Sequence, residues 1–411
     1  MRVQRRGVLV ALVTSTGLLL AGCAGGDGPQ VLDQQVASPS STPTVDQPST
    51  VATPAPSDGT SVTTDEPAEA APPSPTPTVP PLPQRPGRPA TPRVAGTVAT
   101  GLTSPWGLAF LPDGSALVTE RDTARLLRVD QGTVDVIGSV PGVFFGGEGG
   151  LLGVAVAPTF DDDRLVYLYA TTSSGNQVLL APLRQGRLGR VQVVLDDIPR
   201  SPIHNGGRLA FGPDGMLYVT TGDASETSTS QRPGSLGGKI LRVTPEGDVP
   251  PDNPDPSSPV YSSGHRNVQG IAWDAAGTLW ASEFGASTWD ELNRIRPGAN
   301  YGWPSVEGAG GEGSGFVDPA VQWPTDQASP SGIVVAENTV FVASLRGQRL
   351  WAVPVGGGRA GKPRAFFTGE LGRLRTVAAA PDGSLWLVTN NTDGRGVPRQ
   401  GDDRILRLGV G

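Results

Sequence analysis

The feature of this chain that most constrains its fold is a hairpin pattern that occurs six times after residue 100. Each copy has an apolar strand, a tight turn that is often Pro-Asp-Gly, and a second apolar strand. The copies begin at Gly107, Gly153, Arg208, Gly270, Gly332 and Thr376, at intervals of 46, 55, 62, 62 and 44 residues. Repeats of about 40–50 residues with several short strands are typical of propeller blades. The sequence therefore predicts an all-β fold, a six-bladed β-propeller.

The turns and the flanking segments support this prediction. Proline presets φ in such a turn, and glycine supplies the positive φ that the reversal needs. A shorter apolar strand follows each hairpin, for example at residues 125–129 and 404–408, and helical periodicity is absent. Residues 94–100 are expected to close the ring against the last blade, because closure removes open sheet edges. The propeller domain is predicted over residues 94–411.

The first 22 residues have the features of a signal peptide for export. Arg2, Arg5 and Arg6 precede an apolar stretch, residues 8–20, that is too short to span a bilayer. Residues 20–23, Leu-Ala-Gly-Cys, resemble a bacterial lipobox. This implies that Cys23, the only cysteine, is lipidated and anchors the protein outside the cytoplasm on the cell membrane. The alternative is an ordinary secretory peptide with an incidental cysteine.

Residues 23–93 are rich in proline, serine, threonine and alanine. Such a segment cannot bury enough apolar surface to offset the entropy lost on ordering, and its prolines favour an extended polyproline conformation. We expect a disordered, semi-stiff linker that holds the propeller away from the membrane. The alternative is that this segment is bound by a protein that recognises proline-rich sequences.

The overall charge excludes one class of partner. The formal net charge is −7 and the isoelectric point is about 5.0, whereas nucleic-acid binding requires a basic surface that releases counterions. We therefore expect no nucleic-acid partner. A local basic cluster remains compatible with a small anionic ligand.

The chain has two histidines, and both lie in loops that precede a hairpin. His204 lies in IHNGGRLAFGPDG and His265 in SSGHRNVQG. The neighbouring glycines allow a ligand to approach the backbone closely, and Arg266 and Asn267 supply donors. Both histidines are candidates for the functional site, and a structural role is the alternative for each.

Four segments together resemble one known family. HNGGRLAFGPDGMLYVTTGD, GSLGGKILRV, GHRNVQGIAW and ELNRIRPGANYGWP are similar to the soluble pyrroloquinoline-quinone (PQQ)-dependent sugar dehydrogenases, the glucose/sorbosone dehydrogenase family. The resemblance runs from about residue 101 to 408. It implies that His204 takes the proton of a substrate hydroxyl while hydride moves to the quinone. It also implies that Arg266 contacts the quinone carbonyls, with Asn267 and Gln269 near the cofactor.

The resemblance also implies how the cofactor and its calcium are held. PQQ carries three carboxylates, and the family's cationic positions correspond to Arg346, Arg373 and Arg375. Strand alternation is expected to point Arg373 and Arg375 to the same side. Backbone carbonyls of Gly285 and Ala286 are the implied calcium ligands.

The chain departs from the family pattern at several positions. Glu148 replaces a glutamine in the cofactor neighbourhood, and its charge would repel an anion unless calcium or an arginine compensates. Arg346 replaces a lysine, and Ile203 replaces an aspartate before the histidine, so the orientation of His204 must come from another residue. Phe284 and Ala286 also differ from the pattern. These departures leave the substrate open as an aldose or a related alcohol, and they leave the electron acceptor unidentified.

Two other functions use a similar scaffold. A calcium-dependent lactonase would need a convergent cluster of polar side chains, for which the candidates are Glu148, Asn205, Asp223, Asn267 and Glu283. A non-enzymatic propeller that binds glycans or a protein is the other alternative. Because a fold does not determine function, the site itself must decide among them.

Overall fold

The computed structural model describes residues 85–411. The predicted signal peptide, Cys23 and most of the predicted linker lie outside these residues. Within residues 85–411, no helix has the length and apolar character required to cross a membrane.

Strands β1 to β26 form six separate antiparallel sheets. Strand β1 (Pro92–Ala99) belongs to the last of them. The first blade contains β2 (Pro105–Phe110), β3 (Ala116–Glu120), β4 (Arg125–Asp130) and β5 (Thr133–Ser139). The second contains β6 (Leu151–Val156), β7 (Leu165–Thr171), β8 (Asn176–Arg184), β9 (Arg187–Leu188) and β10 (Gln192–Ile198), with the four-residue helix α1 (Phe160–Asp163) between β6 and β7.

The other four blades continue in chain order. The third contains β11 (Leu209–Phe211), β12 (Leu217–Thr220), β13 (Lys239–Val243) and β14 (Val260–Ser263). The fourth contains β15 (Val268–Trp273), β16 (Leu279–Glu283), β17 (Trp289–Ile295) and β18 (Val321–Pro324). The fifth contains β19 (Pro330–Ala336), β20 (Thr339–Ser344), β21 (Arg349–Gly356), β22 (Arg359–Ala360) and β23 (Arg364–Phe366). The sixth contains β24 (Leu374–Ala379), β25 (Leu385–Thr389), β26 (Ile405–Val410) and β1. Short 3-10 helices occupy Thr227–Ser230 and Glu312–Ser314.

The six sheets form a closed ring, which confirms the predicted six-bladed propeller. The first strands of consecutive blades (β2, β6, β11, β15, β19 and β24) contact one another in order, and β24 returns to β2. Strand β1 pairs with β26, with Pro92 opposite Val410 and Ala99 opposite Ile405. The segment before the first blade therefore closes the ring, as the sequence predicts.

The core is divided among the interfaces between blades. Six clusters of buried apolar side chains occur, and each lies between neighbouring blades. Leu117 and Trp280, for example, have no exposed surface, and a fully buried leucine contributes about 1.5–3 kcal/mol to folding. The turn glycine Gly215 has a φ of +76°, as expected for a Pro-Asp-Gly reversal. The scaffold therefore holds the loops at its ends rigidly in place.

Candidate functional site

The residues selected from the sequence lie at one end of the channel for a topological reason. Because adjacent strands are antiparallel, the first strand of a blade begins at the same end at which the second strand terminates. His204, Arg266 and Arg373 precede β11, β15 and β24, whereas Asp223 and Gly285 follow β12 and β16. Residues far apart in sequence therefore meet at this end.

A narrow cavity opens here, and the residues that line it include Trp106, Glu148, Asn205, Gln269, Arg375 and Arg395. A second narrow cavity shares Phe284 with the first and is lined in part by Arg266, Gly285 and Trp303, together with Glu283, Glu291 and Glu307. The two adjoining cavities combine arginine, amide and aromatic side chains with carboxylates. The arginines suit an anionic ligand, and the carboxylates suit a cation beside it.

His204 is held on several sides. Its Nδ1 lies 2.7 Å from Oδ1 of Asp223, whose Oδ2 accepts a hydrogen bond from Nε1 of Trp303 at 2.9 Å. The His204 N–H donates to Oε2 of Glu148 at 2.8 Å, and the His204 carbonyl accepts from the N–H of Ala224 at 3.1 Å. These bonds hold the backbone at a φ of +61°, which is uncommon outside glycine and concentrated at functional sites.

The protonation of Asp223 determines which His204 nitrogen is free. Burial alone would raise the pKa of Asp223, but the hydrogen bonds from His204, Ser225 and Trp303 outweigh burial and lower that pKa below its usual value. An ionised carboxylate only accepts hydrogen bonds. Nδ1 of His204 therefore carries the ring proton, and Nε2 keeps a lone pair that can accept a proton.

Glu148 does not present an uncompensated charge to the cavity. Its Oε1 lies 2.9 Å from Nη1 of Arg395, and its Oε2 accepts the backbone N–H of His204. Burial alone would raise the pKa of Glu148, but the hydrogen bonds from the His204 backbone and from Arg395 outweigh the effect of burial. The pKa of Glu148 is therefore lowered from its usual value. The compensation that the sequence required for Glu148 is therefore supplied by Arg395.

The three arginines expected to meet an anion occupy different environments. Arg373 is buried, with Nη2 2.9 Å from Oδ2 of Asp393. Arg375 is also buried, and its Nη1 donates to Oε1 of Gln269 at 3.1 Å; burial lowers the pKa of Arg375 to about 9. Arg346 is exposed. The structure therefore brings Arg373 and Arg375 into the site interior and leaves Arg346 at its surface.

Asn267 and Gln269 form the amide part of the site. Oδ1 of Asn267 accepts from the N–H of Gly206 at 3.0 Å and from Nε2 of Gln269 at 3.2 Å. Nδ2 of Asn267 and Nδ2 of Asn390 are buried, and neither has a hydrogen-bond partner within residues 85–411. Asn390 accepts from Arg375 through its Oδ1 at 3.3 Å. Two buried donors close to Gln269 and Arg375 are therefore without partners in the described residues, although buried polar groups ordinarily have them.

Arg266 lies between the His204–Asp223 pair and the loop after β16, and its carbonyl accepts a hydrogen bond from the N–H of Asp223 at 2.8 Å. Its Nη1 donates to the carbonyls of Phe284, at 3.3 Å, and Gly285, and its guanidinium carbon lies 5.4 Å from the Trp303 ring centroid. Burial lowers the pKa of Arg266, although the carboxylate of Asp223 opposes this shift. The side chain is therefore fixed beside the second cavity.

The loop after β16 turns two backbone carbonyls away from Glu307. The N–H groups of residues 286–289 all donate to Oε1 of Glu307, at 2.7–3.1 Å. In a trans peptide the C=O points opposite to the following N–H, so the carbonyls of Gly285 and Ala286 point away from Glu307. The Gly285 oxygen meets Arg266 there. Oxygen atoms in this arrangement suit a hard cation.

His265 has a structural role. It has no exposed surface, its Nδ1 lies 2.8 Å from Oε2 of Glu283, and its Nε2 lies 2.9 Å from Oγ of Ser262. Its ring stacks on Tyr301 with centroids 4.7 Å apart. Glu283 also accepts the backbone N–H of Arg266. His265 therefore supports the Arg266 backbone and lines neither of the two cavities, which is the environment expected under the structural alternative for this residue.

The lactonase alternative requires a different arrangement. Its five candidate side chains form pairwise bonds with protein neighbours, and residues 85–411 contain no group of three or more His, Cys, Asp or Glu side chains placed to hold a metal ion. Asn205, for example, accepts from Nδ2 of Asn176 at 3.1 Å and donates to the Ser201 carbonyl at 2.8 Å. The candidate side chains are therefore engaged with protein neighbours in the described part of the chain.

The sequence reasoning missed Asp223 as the partner of His204, and it missed Arg395 altogether. A signal for Asp223 was present, because three hairpins end in a carboxylate: Glu120, Asp223 and Glu283. Glu120 and Glu283 end the second strand of a blade, and Asp223 lies three residues after one. All three are at the end of the propeller where the first strands begin. Arg395 lies in the long segment between β25 and β26, and no spacing rule predicts its contact with Glu148.

Comparisons with known proteins identify the family of this chain. The profile of the Glucose / Sorbosone dehydrogenase family matches residues 102–405. An aldose sugar dehydrogenase from Streptomyces coelicolor, solved in its PQQ-bound form, is 55% identical, with a TM-score of 0.77 over 80% of this chain and 100% of that one. The aldose sugar dehydrogenase of Escherichia coli is 29% identical over 71% of this chain and 89% of that protein. Quinoprotein glucose dehydrogenase B of Acinetobacter calcoaceticus is 33% identical over 51% of this chain and 52% of that protein. The chain therefore belongs to the glucose/sorbosone dehydrogenase family and is a sugar oxidoreductase.

Proposed function

We propose that this protein oxidises an aldose, or a related sugar alcohol, at the channel mouth, with PQQ as the bound cofactor and calcium as its metal. The observation that carries the proposal is the His204–Asp223 pair, which leaves Nε2 free to take a proton. The pair adjoins cavities that hold several arginines. The similarity to a PQQ-bound aldose sugar dehydrogenase supports the choice of cofactor.

The residues present fit PQQ. Its three carboxylates require cations and hydrogen-bond donors. Arg375 supplies a buried charge with no ion-pair partner among the described residues, and Arg373, which is paired with Asp393, supplies a second buried guanidinium. The unpaired Nδ2 atoms of Asn267 and Asn390 are donors that a ligand would satisfy. Each hydrogen bond to a charged group contributes about 1.5–3 kcal/mol, so this set is adequate to hold a polyanion. Arg346, which is exposed and follows the cavity-lining Leu345, would cover the cofactor from the rim.

The loop after β16 fits calcium. The carbonyls of Gly285 and Ala286 point away from Glu307, and carbonyl oxygens are ligands that calcium accepts. A cation here would replace Arg266 as the partner of the Gly285 oxygen. Arg266 would then be released toward the cofactor, where its charge would stabilise negative charge on a quinone oxygen.

When bound, the quinone supplies a two-electron acceptor for the hydride that leaves the substrate carbon. His204 Nε2 removes the hydroxyl proton of that same carbon, so the C–O bond becomes a carbonyl. Asp223 keeps the proton on Nδ1 and stabilises the imidazolium once Nε2 has accepted the substrate proton. Trp303 fixes the second oxygen of Asp223 and thereby the direction of the ring.

Reconstitution of the full-length protein tests this function. PQQ is titrated with calcium present, with magnesium in its place, and with a chelator, and binding is followed by absorbance. Aldoses are then added with an artificial dye acceptor. The proposal expects binding that depends on calcium and turnover that depends on sugar. Absence of PQQ binding in the presence of calcium would contradict it, as would binding without reduction by any aldose.

Location at the membrane is a further part of the proposal. The lipobox-like segment at residues 20–23 supports lipidation of Cys23 and display of the enzyme outside the cytoplasm. Cys23 lies outside the described residues, so the mass of the mature protein is the appropriate test.

A further inference from the structure

One position of the repeat departs from its own pattern. The hairpins begin with glycine in four blades (Gly107, Gly153, Gly270 and Gly332) and with Thr376 in the sixth, whereas the third begins with Arg208. A Cβ added at any of the four glycines would lie closer than 3.0 Å to the backbone of the next blade. Arg208, the largest of the six residues that begin a hairpin, therefore occupies a position at which four other blades have no room for a Cβ atom.

The Arg208 side chain crosses the channel. Its Nε donates to the carbonyl of Gln269 in the fourth blade at 2.9 Å, and its Nη2 donates to Oγ1 of Thr376 in the sixth blade at 3.2 Å. Its guanidinium carbon lies 4.2 Å from the ring centroid of Trp106 in the first blade. Nη2 would lie 3.1 Å from a Cβ at Gly332 in the fifth blade. One side chain of the third blade thus contacts four other blades.

The charge of Arg208 has no protein partner. The side chain is buried, and no carboxylate lies within 4.0 Å of its nitrogens among residues 85–411. The guanidinium of Arg375 lies 5.6 Å from the same Trp106 ring, so a second buried cation contacts the ring that Arg208 contacts. Burial lowers the pKa of Arg208 to about 9. An unpaired buried charge is costly and calls for an anion nearby.

The cavity above Arg208 is where that anion would bind. Trp106 and Gln269, which Arg208 contacts, both line the cavity that also contains Arg375. Arg208 itself does not line this cavity. It therefore lies directly beneath the floor of the site and acts on a ligand through Trp106, through Gln269 and through its charge.

We propose that Arg208 is a cationic plug that closes the channel beneath the cofactor cavity and whose charge is compensated by the carboxylates of the bound cofactor. This inference rests on the proposed function, since PQQ is the anion. It makes Arg208 a positioning residue for the cofactor. It also implies that the unpaired charge destabilises the protein without cofactor and strengthens binding when cofactor enters.

Two neutral variants and one charged variant test the plug. Arg208→Met keeps the length of the side chain without charge, Arg208→Gln keeps a donor for the Gln269 carbonyl, and Arg208→Lys keeps the charge. The exposed Arg187 provides the control Arg187→Met, which changes net charge equally and lies far from the channel on β9. PQQ affinity is measured by absorbance titration on the full-length protein with calcium, and the melting temperature is measured without cofactor.

Both neutral variants should bind PQQ about 10- to 50-fold more weakly, which corresponds to about 1.4–2.3 kcal/mol and is the size of effect that a buried unit charge has at an effective dielectric constant of about 20. Arg208→Lys should stay within about threefold of the wild type by the same reasoning. The melting temperature of the neutral variants without cofactor should equal or exceed that of the wild type. Arg187→Met should leave both quantities unchanged.

The outcomes separate this inference from the proposed function. If the wild type does not bind PQQ, the proposed function fails. If the wild type binds and a folded neutral variant binds equally well, the plug inference is overturned. An equal loss in Arg208→Lys and the neutral variants also overturns it, because the shape of the side chain and not its charge would then be responsible. If Arg208→Met fails to fold, the affinity of Arg208→Gln decides.

Discussion

Replacement of Asp223 by asparagine is the sharpest test of the catalytic arrangement. The variant keeps nearly the same shape, and its amide oxygen can still accept the Nε1 hydrogen bond of Trp303, which Asp223 accepts at 2.9 Å. One property changes in either orientation of the amide: the negative charge beside Nδ1 of His204, at 2.7 Å, is lost. The imidazolium that forms when Nε2 accepts the substrate proton then has no carboxylate to stabilise it.

The magnitude follows from the burial of the pair. The His204 side chain is 12% exposed and the Asp223 side chain is 0% exposed, so solvent screens their interaction weakly. Charges about 4 Å apart at an effective dielectric constant of about 20 attract by about 4 kcal/mol. Loss of this attraction when His204 becomes protonated raises the barrier by the same amount, which corresponds to about a 10³-fold fall in kcat.

The assay combines steady-state turnover with a dye acceptor and the single-turnover absorbance change after an aldose is added to the PQQ-loaded enzyme. PQQ affinity should stay within about threefold of the wild type, because the predicted role of Asp223 is toward His204. Asp274→Asn is a matched control. Asp274 also accepts an indole N–H, that of Trp280 at 3.1 Å, but it lies in the β15–β16 turn at the other end of the propeller. A folded Asp223→Asn enzyme that reduces the cofactor at the wild-type rate would refute the assignment of His204 as the base.

The remaining predictions concern the base, the anion site, acid stability and the anchor. His204→Ala should lower turnover by about 10²–10⁴-fold with PQQ affinity nearly unchanged, as checked by the same assays. The double variant Arg373→Ala/Arg375→Ala should lose about 10²–10⁴-fold in PQQ affinity by absorbance titration, and unchanged affinity would place the carboxylates elsewhere. The pKa of Asp223 is lowered by folding, so the stability from its ionised form is present above its unfolded pKa and is lost as pH falls through the lower folded pKa. Melting temperature should therefore fall below about pH 4, with a shallower fall in Asp223→Asn. Intact mass of the membrane fraction should show a chain that begins at a diacylated Cys23, and Cys23→Ser should release the enzyme into the medium.

The repeat predicted most of the fold because each strand and turn in it is determined by residues close together in the sequence. An apolar strand, a turn with Pro-Asp-Gly and a second strand specify a hairpin. Recurrence of that hairpin every 44 to 62 residues, each time followed by a further strand, indicates a propeller blade. The site residues came instead from the resemblance to the family, which implied roles for His204, Arg266 and Arg373 from their motifs. In the structure each of these residues precedes a first strand, at the end of the propeller where the second strands terminate. Strand direction therefore explains why residues far apart in sequence lie at the same end.

Hydrogen-bond partners between distant loops could not be predicted in the same way. Arg395 lies 247 residues from Glu148, its ion-pair partner, and only the packed structure brings the two segments together. Taken alone, the negative charge of Glu148 is unfavourable for a site that binds an anion. In the structure this charge is neutralised, and the carboxylate also holds the backbone of His204. A departure from the family pattern was therefore compensated by a residue that no motif contains.

The two histidines show why sequence pattern alone cannot assign a catalytic role. Both precede the first strand of a blade, and each bonds through Nδ1 to the carboxylate that ends or follows the second strand of that blade, Asp223 for His204 and Glu283 for His265. The difference lies at Nε2. In His265 this atom is occupied by Ser262 in a fully buried setting, whereas His204 is partly exposed beside the cavity. A propeller repeats its geometry in every blade, so the same dyad can serve as a structural support in one blade and as a base in another. The access of solvent and substrate to the second nitrogen decides between these two roles.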